Sequence, residues 1–282
     1  EARKVSGRPL VAHIHATEFD RAGSGANPTI CHREWEGMTG ADRIVANSHA
    51  PKRTCIERYQ IPAEKIDVVH WGIDDVDSVP AARPRNFFAP RSGNSRRGKV
   101  PMVLFLGRVT WQKGPDYFIE MAGRVSRYVP EAKFVVAGQG DMLPGLIRRT
   151  AELGIADRVH FAGGVGGADV ERLYQMADVC VMPSVSEPFG LVALESLRNG
   201  TPCVIPKAAG VAEVVNNAFK VDFWDVDAMT DQIVALIRHP VLRDELSQNG
   251  LAELKSPRFS LEEPARLTSE SYRRALSTPA WS

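Results

Sequence analysis

No two of the four cysteines, Cys31, Cys55, Cys180 and Cys203, stand at Cys-x-x-Cys spacing. Cys180 and Cys203 lie inside apolar runs and read as buried free thiols, which suits a reducing, cytoplasmic compartment. No apolar run approaches the ~18 residues that a membrane-spanning helix needs. Net charge is nearly absent too: the formal value is +1, so no global field draws the chain to nucleic acid or to an anionic membrane. The opening EARKVSGRPL has neither signal-peptide character nor an initiator methionine, and a strand-like segment follows almost at once. It reads as the middle of something. What is present is ordinary: 44% hydrophobic and 24% charged residues, as in soluble globular proteins. The 282 residues suffice for one large domain or two.

From residue 101 a regular rhythm sets in. PMVLFLGRV (101–109) is a short apolar run and so a buried strand. In the next segment Phe118, Met121, Ala122, Val125 and Val129 fall at helical offsets. Further strands are expected at AKFVVAG (132–138), RVHFAG (158–163), DVCVMPS (178–184), PCVIP (202–206) and FKVDF (219–223). Helices are expected over 141–153 and 168–176, from SEPFGLVALE (186–195), over GVAEVVNN (210–217), and near 225–238 and 240–255. Apolar strands alternating with helices define an α/β fold whose parallel sheet is covered on both faces. Residues 10–71 repeat the rhythm with only three strands, in LVAHIHA, ADRIVANS and KIDVVHWG, where an independent Rossmann-like domain has about five or six. The expected division is a partial first domain over 1–78, a linker over 79–100, a second Rossmann-like domain over 101–258 and a helical tail over 259–282. The linker region carries Arg83, Arg85, Arg91, Arg96, Arg97 and Lys99 with no acid from 83 to 99. An anion- or partner-binding patch is one reading. Without interleaved aromatics a solvated linker is the plainer one, and no nucleic-acid partner is expected.

In open α/β sheets ligands bind beyond the carboxyl ends of the strands. In the second domain those ends carry Arg108 and Lys113, the loop Gly138-Gln139-Gly140, FAGGVGG (161–167) and SEPFG (186–190). Ser186 has the chemistry of an N-cap, and Pro188 stands near the expected first helical position, where a missing N–H costs nothing. Gly190 would let a ligand approach the backbone. Free amides at a helix start favour a phosphate, with Arg108 and Lys113 supplying positive charge. Eight residues of continuous helix would separate Glu187 from Glu195 by ~12 Å. That is more than the ~5–10 Å across which a glycosidase acid–base pair works, unless the loop folds sharply. They read better as contacts to two ends of one extended ligand. Spacing alone also allows a solvated Glu187 and a Glu195 in a surface salt bridge.

SEPFGLVALE is similar to the Glu-x7-Glu element of retaining GT-B glycosyltransferases of family 4 type, the group of glycogen and sucrose-phosphate synthases. FLGRVTWQKGPDYFIEMA resembles that family's Gly-Arg and Lys-Gly segment, FVVAGQGD its Gly-x-Gly segment, and the stretch from VHFAGGV to GVAEVV follows its order and spacing. HIHATEFDR resembles the segment with the family's active-site histidine. The likeness covers about 10–75 and 101–240 and implies two Rossmann-like domains facing a cleft, the first incomplete. It also implies roles. Arg108 and Lys113 would bind the donor diphosphate, with the amides of Phe189, Gly190 and Leu191 holding phosphate and sugar. Glu187 would lie by the donor sugar and His15 would be catalytic. Glu195 would bond the ribose, and Gly138, Gln139 and Gly140 would form a nucleotide loop. Trp71 and Ala209 depart from the pattern, standing where Asn and a second Gly are common. Neither change removes a charged contact.

The reading implied is a hexosyltransferase that moves a sugar from a nucleoside diphosphate sugar to a sugar or glycan acceptor with retention. No metal or other cofactor is expected. Alternatives are a truncated or non-catalytic nucleotide-sugar-binding module, and a sugar-nucleotide epimerase, against which the Glu-x7-Glu spacing argues. The incomplete first domain leads to two expectations: weak or absent turnover, and self-association through residues 1–70.

Overall fold

The structure, a computed structural model, describes residues 5–74 and 100–277. The arginine-rich segment from Arg83 to Lys99 lies outside the described residues. The first half is a three-stranded sheet of β1 (Val11–Ile14), β2 (Arg43–Ala46) and β3 (Ile66–Val68), parallel and in that order. Between the strands run α1 (Glu18–Ala22), α2 (Pro28–Gly40) and α3 (His49–Glu57). The caps follow from the residues: the Asn27 side chain accepts from the Thr29 amide with Pro28 in the first turn, and Ser48 accepts from Ala50. Met38, Ile44, Cys55, Tyr59 and Ile66 close a small core. β2 is nearly all buried. β1, the sheet edge, is half-exposed, and α2 buries only Met38 while Ile30 and Trp35 face solvent.

The second half is a six-stranded parallel sheet. Its strands are β4 (Met102–Leu106), β5 (Lys133–Ala137), β6 (Val159–Gly163), β7 (Val179–Val181), β8 (Cys203–Pro206) and β9 (Phe219–Val221), in the order β6-β5-β4-β7-β8-β9. The first strand is central, and the chain winds outward one way and then the other. The point of reversal, a natural ligand crevice, lies between β4 and β7. Connecting them are α4 (Pro115–Tyr128), α5 (Leu143–Glu152), α6 (Ala168–Met176), α7 (Leu191–Arg198), α8 (Val226–Arg238) and α9 (Pro240–Leu254). One face of the sheet is covered through Phe118, Met121, Val125, Ile233 and Leu236, the other through Tyr174, Leu194, Leu197 and Leu254. That burial on both faces is why the strands read as continuous apolar runs. GVAEVVNN does not make the expected helix: only a four-residue 3-10 turn forms, Gly210–Glu213.

The last helix, α10 (Glu262–Ser277), returns to the first half. There the Asp67 carboxylate on β3 accepts from Arg43 and Arg274, at 2.5 and 2.9 Å, and from the Ser271 hydroxyl. Tyr272 hydroxyl meets His13 Nε2 at 3.1 Å. The chain thus crosses between the halves twice, and the crossings touch. The Ile73 amide donates to the Phe259 carbonyl at 2.8 Å. A Cβ on Gly72 would lie 2.2 Å from the Ser260 carbonyl oxygen, so only glycine lets the two strands of chain lie so close.

Candidate active site

Two loops make the crevice floor, Gly107–Gly114 after β4 and Met182–Gly190 after β7. They are zipped together: the amides of Val185 and Ser186 both donate to the Gln112 carbonyl. Gly114, with φ +61°, lies so near Pro183 that a Cβ would be 2.1 Å from its carbonyl oxygen. The zipper sets one ion pair across the crevice. Lys113 Nζ sits 2.6 Å from Glu187 Oε2, and the Ser184 hydroxyl donates to the same oxygen at 2.9 Å. Glu187 keeps 9% of its side chain exposed and Lys113 21%, so both are reachable from solvent yet mostly desolvated. Arg108 is exposed and donates to Gln112 Oε1 at 2.9 Å. Gly138 and Gly140 have a backbone duty, each lying against the first loop near Gly107 and Val109. Gln139 carries its carbonyl to the Val109 amide at 2.8 Å, which completes the platform under Arg108.

Helix α7 starts later than the sequence suggests. It begins at Leu191, and its cap is Gly190 at φ 114°, with no side-chain cap. Ser186 is not the N-cap: its hydroxyl donates to Asp20 Oδ1 in the first half at 2.8 Å. Pro188 is not in the first turn either, and its carbonyl accepts from Ser48 at 2.5 Å. The helical rise between the two glutamates is therefore corrected as well, because residues 187–190 are loop. Among the described residues the amides of Phe189, Gly190 and Leu191 donate to no protein acceptor, leaving three donors at a helix start. Glu195 lies one turn into α7 and accepts from the Tyr174 hydroxyl at 2.9 Å. Glu187 and Glu195 open onto separate cavities, of about 720 and 440 Å³. Burial, with the nearby Cys180 and Glu195, pushes the Tyr174 hydroxyl well up, so it stays a donor to Glu195.

From the first half, His15 sits just past the end of β1, its carbonyl held by the Asn47 amide at 3.1 Å. His13 and His15 do share a side of the strand, with ring centroids 6.2 Å apart. The Trp71 ring lies 5.1 Å from the His15 ring, tilted to it, and meets Phe189 edge-on at 5.6 Å. Nothing in the sequence pattern singles out Glu213. Its Oε2 accepts from the His49 amide at 3.0 Å and faces His70 Nε2 at 2.8 Å, clasping the halves. Ser184 was equally silent, because its partner is a loop neighbour whose orientation the spacing does not reveal. Two buried polar atoms beside the site, Thr110 Oγ1 and Asn47 Oδ1, have no partner among the described residues.

Burial pushes the thiols of Cys180, to about 12, and of Cys203 upward, as their apolar runs suggest, and does the same to Cys55. All four cysteines are free. Asp-x-Asp triplets do occur, at 75–77 and 225–227. The second is structural, since Asp225 caps α8 at Ala228 and Asp227 pairs with Arg124. Among the described residues no group of three His, Cys, Asp or Glu could hold a metal ion, and no helix is long and apolar enough to cross a membrane.

This crevice at the reversal point, between two parallel-sheet halves, is the architecture of a GT-B glycosyltransferase. The sequence matches the family described as glycosyl transferases group 1 over residues 89–252, and glycosyltransferase family 4 over residues 1–76. The chain belongs to this family. It is 34% identical to an uncharacterized glycosyltransferase of Methanocaldococcus jannaschii, covering 74% of this chain and 54% of that one. It is 30% identical to the D-inositol 3-phosphate glycosyltransferase of Paenarthrobacter aurescens, covering 98% and 70%. The fold is shared with Anabaena HepE in complex with UDP and glucose (TM-score 0.80, 21% identity, 97% of this chain and 74% of that chain). It is shared too with a sucrose-phosphate synthase from Thermosynechococcus elongatus (TM-score 0.77, 22% identity, 95% and 68%). The chain spans about half the length of the first two curated relatives it matches, 54% in each.

Proposed function

We propose that this chain transfers a hexose from a nucleoside diphosphate sugar to a hydroxyl-bearing sugar or glycan acceptor, with retention of configuration. The observation that carries the reading is the Lys113–Glu187 pair at 2.6 Å across the reversal point, with free amides on the same loop. An arriving diphosphate would take Lys113 and Arg108 away from Glu187 and Gln112 and sit on the amides of Phe189–Leu191. Catalysis then rests on positive groups fixed where negative charge develops as the C1–O bond to the diphosphate breaks. The acceptor oxygen bonds to C1, and its proton leaves with the nucleotide. Released from Lys113, the Glu187 carboxylate faces the positive charge growing at C1. Glu195 holds the ribose at the far end. His15 approaches from the first half, and Gln139 steadies the nucleotide loop. Relatives named as glycosyltransferases and solved neighbours holding UDP support this reading.

The test is nucleotide release by the purified chain over a panel of UDP-, ADP- and GDP-sugars, with the anomer of the product read by NMR. Thermal shifts run in parallel, since a ligand at 100 times its Kd stabilises by about 2.7 kcal/mol. No shift with any nucleotide would overturn the reading. Binding without turnover would favour the alternative of a nucleotide-sugar-binding module. The half-exposed β1 edge favours self-association, since an open edge invites pairing with a second copy, and a clean monomer by light scattering would count against that part. Four unpaired cysteines fit a cytoplasmic site of action.

A further inference from the structure

We propose that Trp71 is a positioning residue that fixes the His15 imidazole and couples it to the loop carrying Glu187 and Phe189. The proposal rests on the functional reading above and adds a member to its machinery. His15 lies beyond the hydrogen-bonded part of β1, and among the described residues its ring nitrogens meet no protein partner. Its backbone is tied by the Asn47 side chain, and its exposed ring makes two ring contacts among the described residues. One is with His13, nearly parallel at an angle of 20° between rings. The other is with Trp71, tilted by 37°.

The indole does not end there. It also meets Phe189, 1% exposed and part of the loop between Glu187 and α7. Trp71 is thus the one ring in contact with both His15 in the first half and Phe189 in the second, among the described residues. Its backbone is also fixed. The next residue, Gly72, is pressed against Ser260, and Ile73 donates to Phe259. A bulky plane on a pinned backbone is a spacer. It transmits the place of the Phe189 loop, where a donor would bind, to the imidazole that would act on it. An asparagine, lacking an aromatic face, would leave the imidazole without that support. A phenylalanine keeps a smaller face.

The experiment uses the full chain with isotope-labelled histidine, comparing wild type with Trp71→Asn and Trp71→Phe. The His15 Cε1–H resonance is assigned by its loss in His15→Gln. In the wild type it should be a single line displaced by the indole ring current. Trp71→Phe should keep a single displaced line, and Trp71→Asn should return it toward the position of an unstacked histidine or broaden it. Nucleotide release should lose roughly 10- to 100-fold in kcat in Trp71→Asn, the scale of a misplaced catalytic group. Donor KM and UDP affinity should stay within about twofold, and Trp71→Phe should restore most of the rate. An unchanged His15 resonance in Trp71→Asn overturns the proposal. So does a loss in UDP affinity as large as the loss in kcat, since it would make Trp71 a donor contact. The resonance decides the matter even if the chain turns over no sugar, so a failure of the functional reading stays distinguishable.

Discussion

Gly138 and Gly107 meet backbone to backbone: a Cβ on Gly138 would lie 1.8 Å from the Gly107 carbonyl oxygen. The glycine-rich turn after β5 is therefore a brace for the loop that carries Arg108. Gly138 also has φ 150°, a region that side-chain-bearing residues avoid. Steric overlap and backbone strain add, so Gly138→Ala should destabilise by about 1–3 kcal/mol or more. Gly145→Ala is the contrast: no atom lies within 4 Å of its added Cβ, and it sits in helix α5. It should gain up to about 1 kcal/mol. Urea unfolding of the two variants reads the difference, and equal midpoints would refute the brace.

The Lys113–Glu187 pair separates binding from turnover. Lys113→Ala should weaken UDP binding by about 1.5–3 kcal/mol, the scale of a charge-assisted contact. Glu187→Gln should leave UDP affinity nearly intact and depress turnover. Calorimetry and nucleotide release on the same samples test this. Equal losses of UDP affinity in the two variants would show that the roles are not divided as argued.

Glu195 is assigned to the ribose, so its effect should depend on the sugar hydroxyls. Glu195→Ala should weaken UDP binding by about 1–3 kcal/mol and leave the binding of a dideoxyribose analogue unchanged. Tyr174→Phe removes the hydroxyl that donates to Glu195 and should produce a smaller loss of the same kind. An equal loss with the analogue would place Glu195 elsewhere on the nucleotide.

Acid should unfasten α10 from the first sheet. Burial pushes the Asp67 carboxyl up, but hydrogen bonds from Arg43 and Ser271 and the charges of Arg43 and Arg274 outweigh it and hold it below its ordinary value. A depressed folded value means that the stabilisation is fully present above the unfolded value of ~3.9 and is lost as pH falls through the lower, folded value. Wild type should therefore lose more stability than Asp67→Asn on going from pH 6 to pH 3. Parallel losses in urea unfolding would exclude this carboxylate as the fastening.

Much of this was legible because it is local. The strands of the second half are apolar runs buried on both faces, and the helical offsets of Phe118 to Val125 correspond to fully buried side chains. The helix within SEPFGLVALE was legible for the same reason, while Glu187 and Glu195 open onto separate cavities. The start of α7 was misjudged because Ser186 has the chemistry of a cap, while a contact 166 residues away claims its hydroxyl. The docking of α10 on β3, the Glu213 clasp and the ring contact of Trp71 with His15 depend on which loops the two sheets bring face to face. No periodicity encodes such pairings. In the Gly-x-Gly turn the close packing of Gly138 on Gly107 and of Gly140 on Val109 was not legible, because it lies between loops distant in sequence.

The two crossings at 71–74 and 258–261 lie side by side, tied by the Ile73–Phe259 bond and the approach of Gly72 to Ser260. Twin connections that share one place act as a single pivot. They resist sliding and twisting of one half over the other and leave a door-like swing as the soft direction. At the swinging side reversible latches join the halves, Ser48 to Pro188, Ser186 to Asp20, and Glu213 to His49 and His70, and Trp111 lies against Gly23. Each latch involves the 186–190 loop or the turn packed on it. Opening the door therefore strips contacts from the very loop that would hold a donor, and filling that loop bears directly on whether the door stays shut.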